Sequence, residues 1–211
     1  MRLFYYIFFT VVGYLSGSIL WSKIIAKLFF KHDIVSENAD GNPGASNVFK
    51  SCGVVGGMTA LVFDIAKGFL PVYFSLFFVD TKSFLFSLVM AAPVIGHIFP
   101  VFNRFRGGKA IAASFGVLLG VAFVDWRPLV MLAGLYIFFS VVAVIRSHIW
   151  RSVVVFVLFG FFSAFFVSSL PITVGCVIIS VAVFLRHYIS RDKNEPFSVS
   201  FFYINPQKEK E

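Results

Sequence analysis

Seven strongly apolar segments follow one another along this chain, separated by short stretches that carry its charges, prolines and many of its glycines. About 20 apolar residues are enough to cross a bilayer as a helix. Hydrophobic residues make up 59% of the 211 and charged residues only 13%, more apolar surface than a soluble domain of this length can bury. The sequence therefore predicts an all-α, polytopic membrane bundle of about seven transmembrane helices. The predicted spans are residues 3–22, 54–79, 83–99, 110–124, 129–145, 152–170 and 172–185.

Several of these segments are short for a full span. We expect spans 83–99 and 110–124 to draw the loop between them toward the membrane, where irregular backbone is tolerated only if it is buried or lines a wet cavity. The hairpin over residues 152–185 is tight, so a six-span arrangement stays open as an alternative. Residues 1–195 are expected to form a single integral-membrane domain, and residues 196–211 a cytoplasmic tail.

The distribution of Lys and Arg predicts the orientation. Fourteen of the eighteen fall on one side of a seven-span bundle, three on the other, and Lys67 lies inside a span. Because the cytoplasmic side carries the excess, we expect the N-terminus outside and the C-terminus in the cytoplasm. A six-span arrangement would send the basic tail outside. All four histidines also fall on the cytoplasmic side, which is where we expect the functional site.

One cytoplasmic stretch, residues 96–109, combines an imidazole, three cations and a Gly-Gly pair between two apolar runs. Paired glycines let backbone N–H groups approach a ligand closely, and the lysine beside them supplies a point charge suited to phosphate. A Walker A motif is excluded, because Phe102 and Ala110 stand where it requires Gly and Ser or Thr. The stretch indicates an anion site at the membrane boundary. The alternative is a basic loop that only sets topology.

Three more cytoplasmic segments can converge on this stretch. Residues 40–50 contain a turn rich in Gly, Asn and Pro, whose amides and Ser46 hydroxyl offer neutral hydrogen bonds. The alternative for this segment is an ordinary surface turn that caps the second helix. The other two are residues 146–148 and 186–191, each with a histidine among basic residues; basic residues at such a helix end commonly anchor topology.

Two features inside the predicted spans concern helix packing. Gly13 and Gly17 have the GxxxG spacing that allows close approach of another helix. Asp64 and Lys67 lie three residues apart on one helix face, and because each charge is costly in the membrane they are expected to pair. The pair either packs helices together or lets Lys67 reach toward the anion pocket.

Other classes of function are disfavoured. The cations form short clusters between apolar runs, so nucleic acid is not an expected partner. Cys52 and Cys176 lack metal-ligand spacing and are predicted to be unpaired thiols. The first span lacks a small-residue cleavage site after it, so we interpret it as a helix of the mature protein rather than a signal peptide.

A set of short motifs occurs along the chain in a fixed order: Gly17-Ser18-Ile19, residues 41–47, Lys67-Gly68, residues 96–100, residues 107–109 and Arg186-His187. Together they resemble the bacterial acyl-phosphate:glycerol-3-phosphate acyltransferases, over residues 13–191. The resemblance implies a seven-helix enzyme of the bacterial inner membrane, with its N-terminus outside, its motifs inside, and no metal or other cofactor. It also implies the transfer of an acyl group from acyl phosphate to the 1-hydroxyl of glycerol 3-phosphate. The products would be lysophosphatidic acid and phosphate, in the first step of phospholipid synthesis.

The partners implied by the resemblance are the two substrates, the lipid bilayer and the enzyme that makes acyl phosphate. Acyl phosphate is a mixed anhydride with a good leaving group, so the enzyme needs no nucleophile of its own. Its tasks are to hold two phosphates and align the hydroxyl with the carbonyl. Positioning alone can lower the activation barrier by about 7–11 kcal/mol.

Site residues are assigned on the same resemblance. His187 and Lys109 are the candidate catalytic residues; His187 would bind phosphate or relay the hydroxyl proton. Lys109 would hold a phosphate together with the two glycines before it, the Asn and Ser side chains would orient the glycerol or the carbonyl, and His97 would bind substrate or shape its turn. The candidate substrate-binding residues are Gly41, Asn42, Ser46, Asn47, Lys50, Lys67, His97, Gly107, Gly108 and Ser190.

Five features depart from the family pattern: Asp40, Lys50, Ala110, the run 146–150 and Ser190. Asp40 places an anion where a phosphate is expected, and Lys50 keeps a charge but lacks the planar fork of arginine. A changed acyl acceptor, an inactive binding paralogue and an anion transporter are the alternatives. A transporter is disfavoured, because polar residues concentrate at one face instead of at the midplane of several spans.

Overall fold

Helices form most of the computed structural model, which describes residues 2–38, 40–190 and 196–201. Within these residues a 3-10 turn spans Val101–Asn103 and a π-helical turn, Phe138–Val142, continues the sixth helix. The α-helices are α1 (Arg2–Ser18), α2 (Trp21–Phe29), α3 (Ala45–Ser75), α4 (Leu85–Ile98), α5 (Ile111–Val121), α6 (Arg127–Ile137), α7 (His148–Phe166) and α8 (Leu170–Ser190). The strands are β1 (Ala143–Ile145) and β2 (Val199–Phe201).

Seven apolar helical segments of the described chain each overlap one of the seven predicted segments. Five are long and apolar enough to cross a membrane: Arg2–Phe29, Ala45–Ser75, Leu85–Asn103, His148–Phe166 and Leu170–Ile189. Two are shorter: Ile111–Val121 and Arg127–Val142. The prediction of a mostly helical membrane protein is confirmed, with two three-residue strands that it did not include. How many segments cross the bilayer, and in which direction, stays a prediction.

The first predicted span, residues 3–22, is two helices in the structure. Helix α1 ends at Ser18, and the amphipathic helix α2 begins at Trp21. The Lys67 ammonium donates to the carbonyl of Ile19 over 2.8 Å, just past the end of α1. The last carbonyls of a helix lack partners within the helix, and a cation there also complements the helix dipole. The break is therefore stabilised by a charge from α3.

Lys67 also forms the predicted pair with Asp64, at 2.8 Å, and the side chains of both are almost fully buried. The Ser22 hydroxyl of α2 donates to the second oxygen of the Asp64 carboxylate. A buried charge is tolerated only when it is paired and hydrogen-bonded. Of the two predicted roles for the pair, the structure supports helix packing, because its charges join α1, α2 and α3.

Two helices, α3 and α7, begin four or more residues before the start that hydropathy predicts. Helix α3 starts at Ala45 instead of residue 54 and is kinked at Gly53, whose φ of +72° is in the left-handed region that glycine tolerates. Helix α7 starts at His148 instead of residue 152, where the Ser147 side chain caps it by accepting from the N–H of Trp150 at 3.1 Å. Hydropathy locates the apolar body of a helix but misses its polar first turns.

Helix α4 is the centre of the bundle, with eleven of its fourteen residues buried against its neighbours. Gly13 and Gly17 face it, and a side chain at Gly17 would collide with the carbonyl of Pro93. The prediction that this glycine pair allows close packing is thereby confirmed. A similar approach joins α3 to α5, where a side chain at Gly68 would collide with the backbone of α5.

The connecting segments gather at two ends of the bundle. At one end, the Tyr6 hydroxyl at the start of α1 donates to the carbonyl of Asp80, in the turn between α3 and α4, over 2.8 Å. At the other end, the loop before α3 meets the start of α5. There Oδ2 of Asp40 lies 3.0 Å from Nζ of Lys109. The end of α8 reaches the same place through Arg186, which donates to the carbonyl of Gly107 at 2.7 Å.

The chain beyond α8 returns to the polar end. Strand β2 pairs antiparallel with β1, which lies just before α7, and Ala143 is opposite Phe201. The Trp150 and Phe197 rings pack edge to face with centroids 5.6 Å apart. Residues 196–201 of the predicted tail therefore lie against the segment that leads into α7, while residues 191–195 and 202–211 are outside the described residues.

Candidate active site

A cavity of about 540 Å³ lies at the polar end of the bundle, between α3, α5, α6 and α7. Charged and polar side chains line one part of it: Asp40, Asn42, Ser46, Lys109, His148 and Arg151. Much of the remaining lining is apolar and lies further along the helices: Leu61, Ile65, Ile111 and Phe115. Asp64, which is paired with Lys67, lies between Leu61 and Ile65 on α3 and also lines the cavity. The cavity therefore suits a molecule with an anionic head and an apolar chain.

Lys109 is the buried cation of this cavity, with 8% of its surface exposed. It lies just before α5, and its ammonium contacts two groups from other segments. Asp40 accepts a hydrogen bond from Nζ at 3.0 Å, and Nε2 of His148 lies 3.4 Å from the same nitrogen. The carboxylate thus already occupies part of the position where an anionic substrate would contact Lys109.

Asp40 is held in place by the turn that leads into α3. Its Oδ1 accepts a hydrogen bond from Nδ2 of Asn47 at 2.7 Å, and the same amide donates to the Asn42 carbonyl at 2.9 Å. Burial alone would raise the pKa of Asp40, but the hydrogen bonds from Asn47 and Lys109 and the positive charge of Lys109 outweigh it and lower the pKa below its ordinary value. Asp40 is therefore an anion at neutral pH.

Asn42 offers the cavity an acceptor. Its side-chain oxygen is buried, has no hydrogen-bond partner among the described residues, and belongs to a residue that lines the cavity. Buried polar atoms are nearly always satisfied, so this oxygen calls for a donor such as a ligand hydroxyl. Ser46 lines the same wall, and Gly41 makes the turn before Asn42 possible with a φ of +55°.

The Gly-Gly pair shapes the backbone that presents Lys109. The N–H of Gly108 donates to the His97 carbonyl at 3.1 Å. The Arg186 guanidinium donates to the carbonyls of Gly107 and Gly108, at 2.7 and 3.3 Å. In this structure the Gly108 N–H is therefore engaged with α4, neither glycine lines the cavity, and Lys109 is the member of the run that reaches it.

The predicted site residues fall into two groups. Asn42, Ser46, His97 and Lys109 line the cavity, and His97 also packs over the Gly108 backbone. The others lie outside its lining: Gly41, Asn47, Lys50, Lys67, Gly107, Gly108 and His187. The Ser190 backbone ends α8, and its side chain lies outside the described part of the structure.

Two of the residues outside the lining are linked to the site indirectly. Lys50 is exposed and donates to Oδ1 of Asn47 at 3.4 Å. His187 is buried, with Nδ1 2.9 Å from the Val183 carbonyl, and it follows Arg186, which contacts the Gly-Gly carbonyls. The tail histidine and Lys109 thus belong to the same end of the bundle.

Sequence reasoning missed the polar wall that α7 and α6 contribute. Arg151, Ser152 and Tyr136 line the cavity together with His148. Residues at positions i, i+3 and i+4 share a helix face, so the spacing of 148, 151 and 152 carried a signal. It was missed because the helix was expected to start at residue 152, which left His148 and Arg151 in a loop.

No group of three or more His, Cys, Asp or Glu side chains in the described chain is placed to hold a metal ion. Cys52 and Cys176 are free thiols in different parts of the structure, as their spacing predicted.

Comparison with known proteins gives one consistent family. A family model for glycerol-3-phosphate acyltransferase matches residues 7–192. The glycerol-3-phosphate acyltransferase of Macrococcus caseolyticus is 34% identical over 178 residues, which cover 84% of this chain and 87% of that protein. The enzyme of the same name from Lactococcus lactis subsp. lactis is 34% identical over 212 residues, covering 95% and 96% of the two chains.

Comparison with solved structures indicates the same family. Crystal structures of PlsY (YgiH), an integral membrane glycerol 3-phosphate acyltransferase, match this structure at 26% identity. Its lysophosphatidic acid form has a TM-score of 0.71 and covers 86% of this chain and 87% of that one. The glycerol 3-phosphate form has a TM-score of 0.72, with 87% and 88% covered. The resemblance seen in the motifs is confirmed, and this multi-pass membrane protein belongs to the glycerol-3-phosphate acyltransferase family.

Proposed function

We propose that this protein transfers an acyl group from acyl phosphate to the 1-hydroxyl of sn-glycerol 3-phosphate and releases lysophosphatidic acid and phosphate. One observation carries the proposal: a single cavity joins a buried lysine and amide and hydroxyl groups to an apolar wall. The polar part suits phosphates and a polyol, and the apolar part suits an acyl chain. The names of the relatives and the glycerol 3-phosphate form of PlsY support the acceptor.

The proposed reaction needs no group from outside the two substrates. The hydroxyl oxygen of glycerol 3-phosphate forms a bond to the carbonyl carbon of acyl phosphate. The bond between that carbon and the phosphate oxygen breaks, and the phosphate leaves with the electron pair. The hydroxyl proton ends on the departing phosphate, so atoms and charge balance. The work of the protein is alignment and charge stabilisation.

The residues at the cavity have distinct proposed roles. Lys109 contacts the phosphate of the acceptor, which replaces Asp40 at its ammonium. The free side-chain oxygen of Asn42 accepts a hydrogen bond from a glycerol hydroxyl, and Ser46 contributes its own hydroxyl to the same wall. His187 is a candidate phosphate ligand or proton relay, and its neighbour Arg186 fixes the backbone that presents Lys109. His97 supports that backbone from α4.

We place the reaction at the cytoplasmic face of the bacterial inner membrane, with the N-terminus outside. The excess of Lys and Arg on the same side as the cavity supports this orientation. The donor would come from an enzyme that makes acyl phosphate, and its chain would lie between helices that face the bilayer.

A second candidate acceptor follows from Asp40. A carboxylate 3.0 Å from the Lys109 ammonium lowers the positive charge available to a phosphate, which favours an uncharged polyol such as glycerol. The same acyl transfer would then give a monoacylglycerol.

The test is a product assay on the purified protein in detergent or bicelles. It is supplied with acyl phosphate and either glycerol 3-phosphate or glycerol. Phosphate release matched by lysophosphatidic acid supports the main proposal, while ester formation with glycerol alone supports the second. Absence of ester with both acceptors contradicts both and favours an inactive binding paralogue. The Lys109→Ala variant is the matched negative control.

A further inference from the structure

The first turn of α7 presents a second polar face to the cavity, formed by His148, Arg151 and Ser152. Their spacing places all three on one side of the helix. The Ser152 hydroxyl donates to the His148 carbonyl at 2.9 Å, and the Tyr136 hydroxyl donates to Ser152 at 3.1 Å. This face belongs to α7 and is held by Tyr136 of α6, whereas Asp40 and Asn42 come from the turn before α3.

Arg151 is the cation of this face. Its Nη1 donates to the Ser140 hydroxyl at 2.8 Å, which fixes the guanidinium at the cavity. A guanidinium has five N–H donors in a planar fork. The bond to Ser140 is the one side-chain hydrogen bond of Arg151 within the described residues, so most of these donors remain for other acceptors there. No carboxylate of the described residues forms an ion pair with Arg151.

The other charges of the cavity are already matched. Lys109 is paired with Asp40, and Asp64, the second carboxylate in the lining, is paired with Lys67. An anion that enters the cavity therefore meets Arg151 as a cation without a carboxylate partner in the described structure. A guanidinium fork also matches the geometry of phosphate oxygens better than an ammonium does.

The apolar wall lies beside this face. The ring of Tyr136 packs against Phe115 with centroids 5.8 Å apart, and both residues line the cavity. A ligand with its apolar chain along Phe115 would thus place its anionic head next to the α7 face. Of the two phosphates that the reaction brings together, the one attached to the acyl group fits this description.

Resting on the proposed function, we infer that Arg151 binds the phosphate of the acyl donor, while Lys109 binds the phosphate of the acceptor. His148 lies between the two cations, with its Nε2 3.4 Å from the Lys109 ammonium, and Ser152 fixes the first turn of α7 through its hydrogen bond to the His148 carbonyl. Two neighbouring cations then hold the two phosphates while the hydroxyl meets the carbonyl. Arg151 acts as a substrate-binding residue that determines donor affinity.

The kinetic test compares three variants with the wild type. Arg151→Gln removes the charge, Arg151→Lys keeps it without the fork, and Arg146→Gln is the matched control, an exposed arginine of the same segment outside the cavity lining. Because a hydrogen-bonded charge is lost, we expect Arg151→Gln to raise the KM for acyl phosphate about tenfold or more. The KM for glycerol 3-phosphate should stay within about twofold of the wild type, and Arg151→Lys should recover part of the donor affinity.

Two kinetic results would overturn the assignment: a donor KM for Arg151→Gln equal to that of Arg146→Gln, or an increase confined to the acceptor KM. Thermal unfolding of each variant in detergent separates lost binding from misfolding. If Arg151→Gln misfolds, Arg151→Lys becomes the deciding variant. Its KM for acyl phosphate must then be several-fold higher than that of Arg146→Gln.

A binding measurement keeps this inference separate from the proposed function. Inorganic phosphate is titrated into the same purified variants by calorimetry, which needs no turnover. Weaker phosphate binding in Arg151→Gln than in Arg146→Gln supports the assignment even if the wild type forms no ester, in which case only the proposed function fails. Equal phosphate binding in the two variants overturns the assignment.

Discussion

The contact between Asp40 and Lys109 gives the sharpest prediction for the proposed reaction. In Asp40→Asn the carboxylate becomes an uncharged amide of the same shape, which can still accept the hydrogen bond from Asn47. We expect this variant to bind glycerol 3-phosphate more tightly than the wild type. The phosphate would no longer have to displace an internal anion from the ammonium.

The magnitude follows from the geometry. Two unit charges 3.0 Å apart attract each other by about 5.5 kcal/mol at an effective dielectric constant of about 20. The Asp40 side chain is 28% exposed, so solvent screening and rehydration after displacement leave about 1.5–3 kcal/mol, the range of hydrogen bonds to charged groups. The lower figure corresponds to about a tenfold decrease in the KM for glycerol 3-phosphate.

The assay measures initial rates against glycerol 3-phosphate at saturating acyl phosphate. Asp33→Asn is the matched control, because it makes the same charge change at an exposed position of the same loop, outside the cavity lining. Since the pKa of Asp40 is held below its ordinary value, the carboxylate is charged throughout pH 6–8 and the effect should be constant there. A KM for Asp40→Asn that equals or exceeds that of Asp33→Asn would refute the reasoning.

Three further predictions concern the site and the fold. Lys109→Ala should lower kcat/KM by at least about a hundredfold, as expected for loss of a charge-stabilising donor; a near-normal rate would remove Lys109 from the site. Lys67→Met leaves the buried Asp64 carboxylate without its ion-pair partner. We expect it to lower the free energy of unfolding, measured by thermal unfolding, by about 3–5 kcal/mol. Adding Asp64→Asn should recover much of that loss, and no recovery would contradict the pairing argument. Gly17→Val should lower the unfolding temperature through a clash with α4, whereas Gly134→Ala, with open space around it, should not.

The overall fold was largely predictable because it depends on hydropathy. Apolar residues must face lipid or the bundle core, so the seven segments could be read from the sequence. Their ends could not, since Ser147 and the turn before Ala45 begin helices by capping and backbone geometry rather than by apolar character. For that reason Arg151 was assigned to a loop instead of the cavity wall.

The site was predictable only where its residues are close together in the sequence. The sequence predicts an anion site in the run that ends at Lys109 and neutral hydrogen bonds from the turn at residues 40–47. Asp40 was noted as an anion in the wrong place, but its partner lies 69 residues away, and no local pattern indicates such a contact. The link between Arg186 and Gly107 spans 79 residues and was missed for the same reason.

The pairing of β2 with β1 has a consequence for how the protein is made. Strand β2 follows every apolar helix in the sequence, so it leaves the ribosome after all of them. Until then β1 lacks the strand with which it pairs, and an isolated strand is not stable by itself. We expect the start of α7, which β1 leads into, to be fixed late in biogenesis, after the lipid-facing body has been inserted.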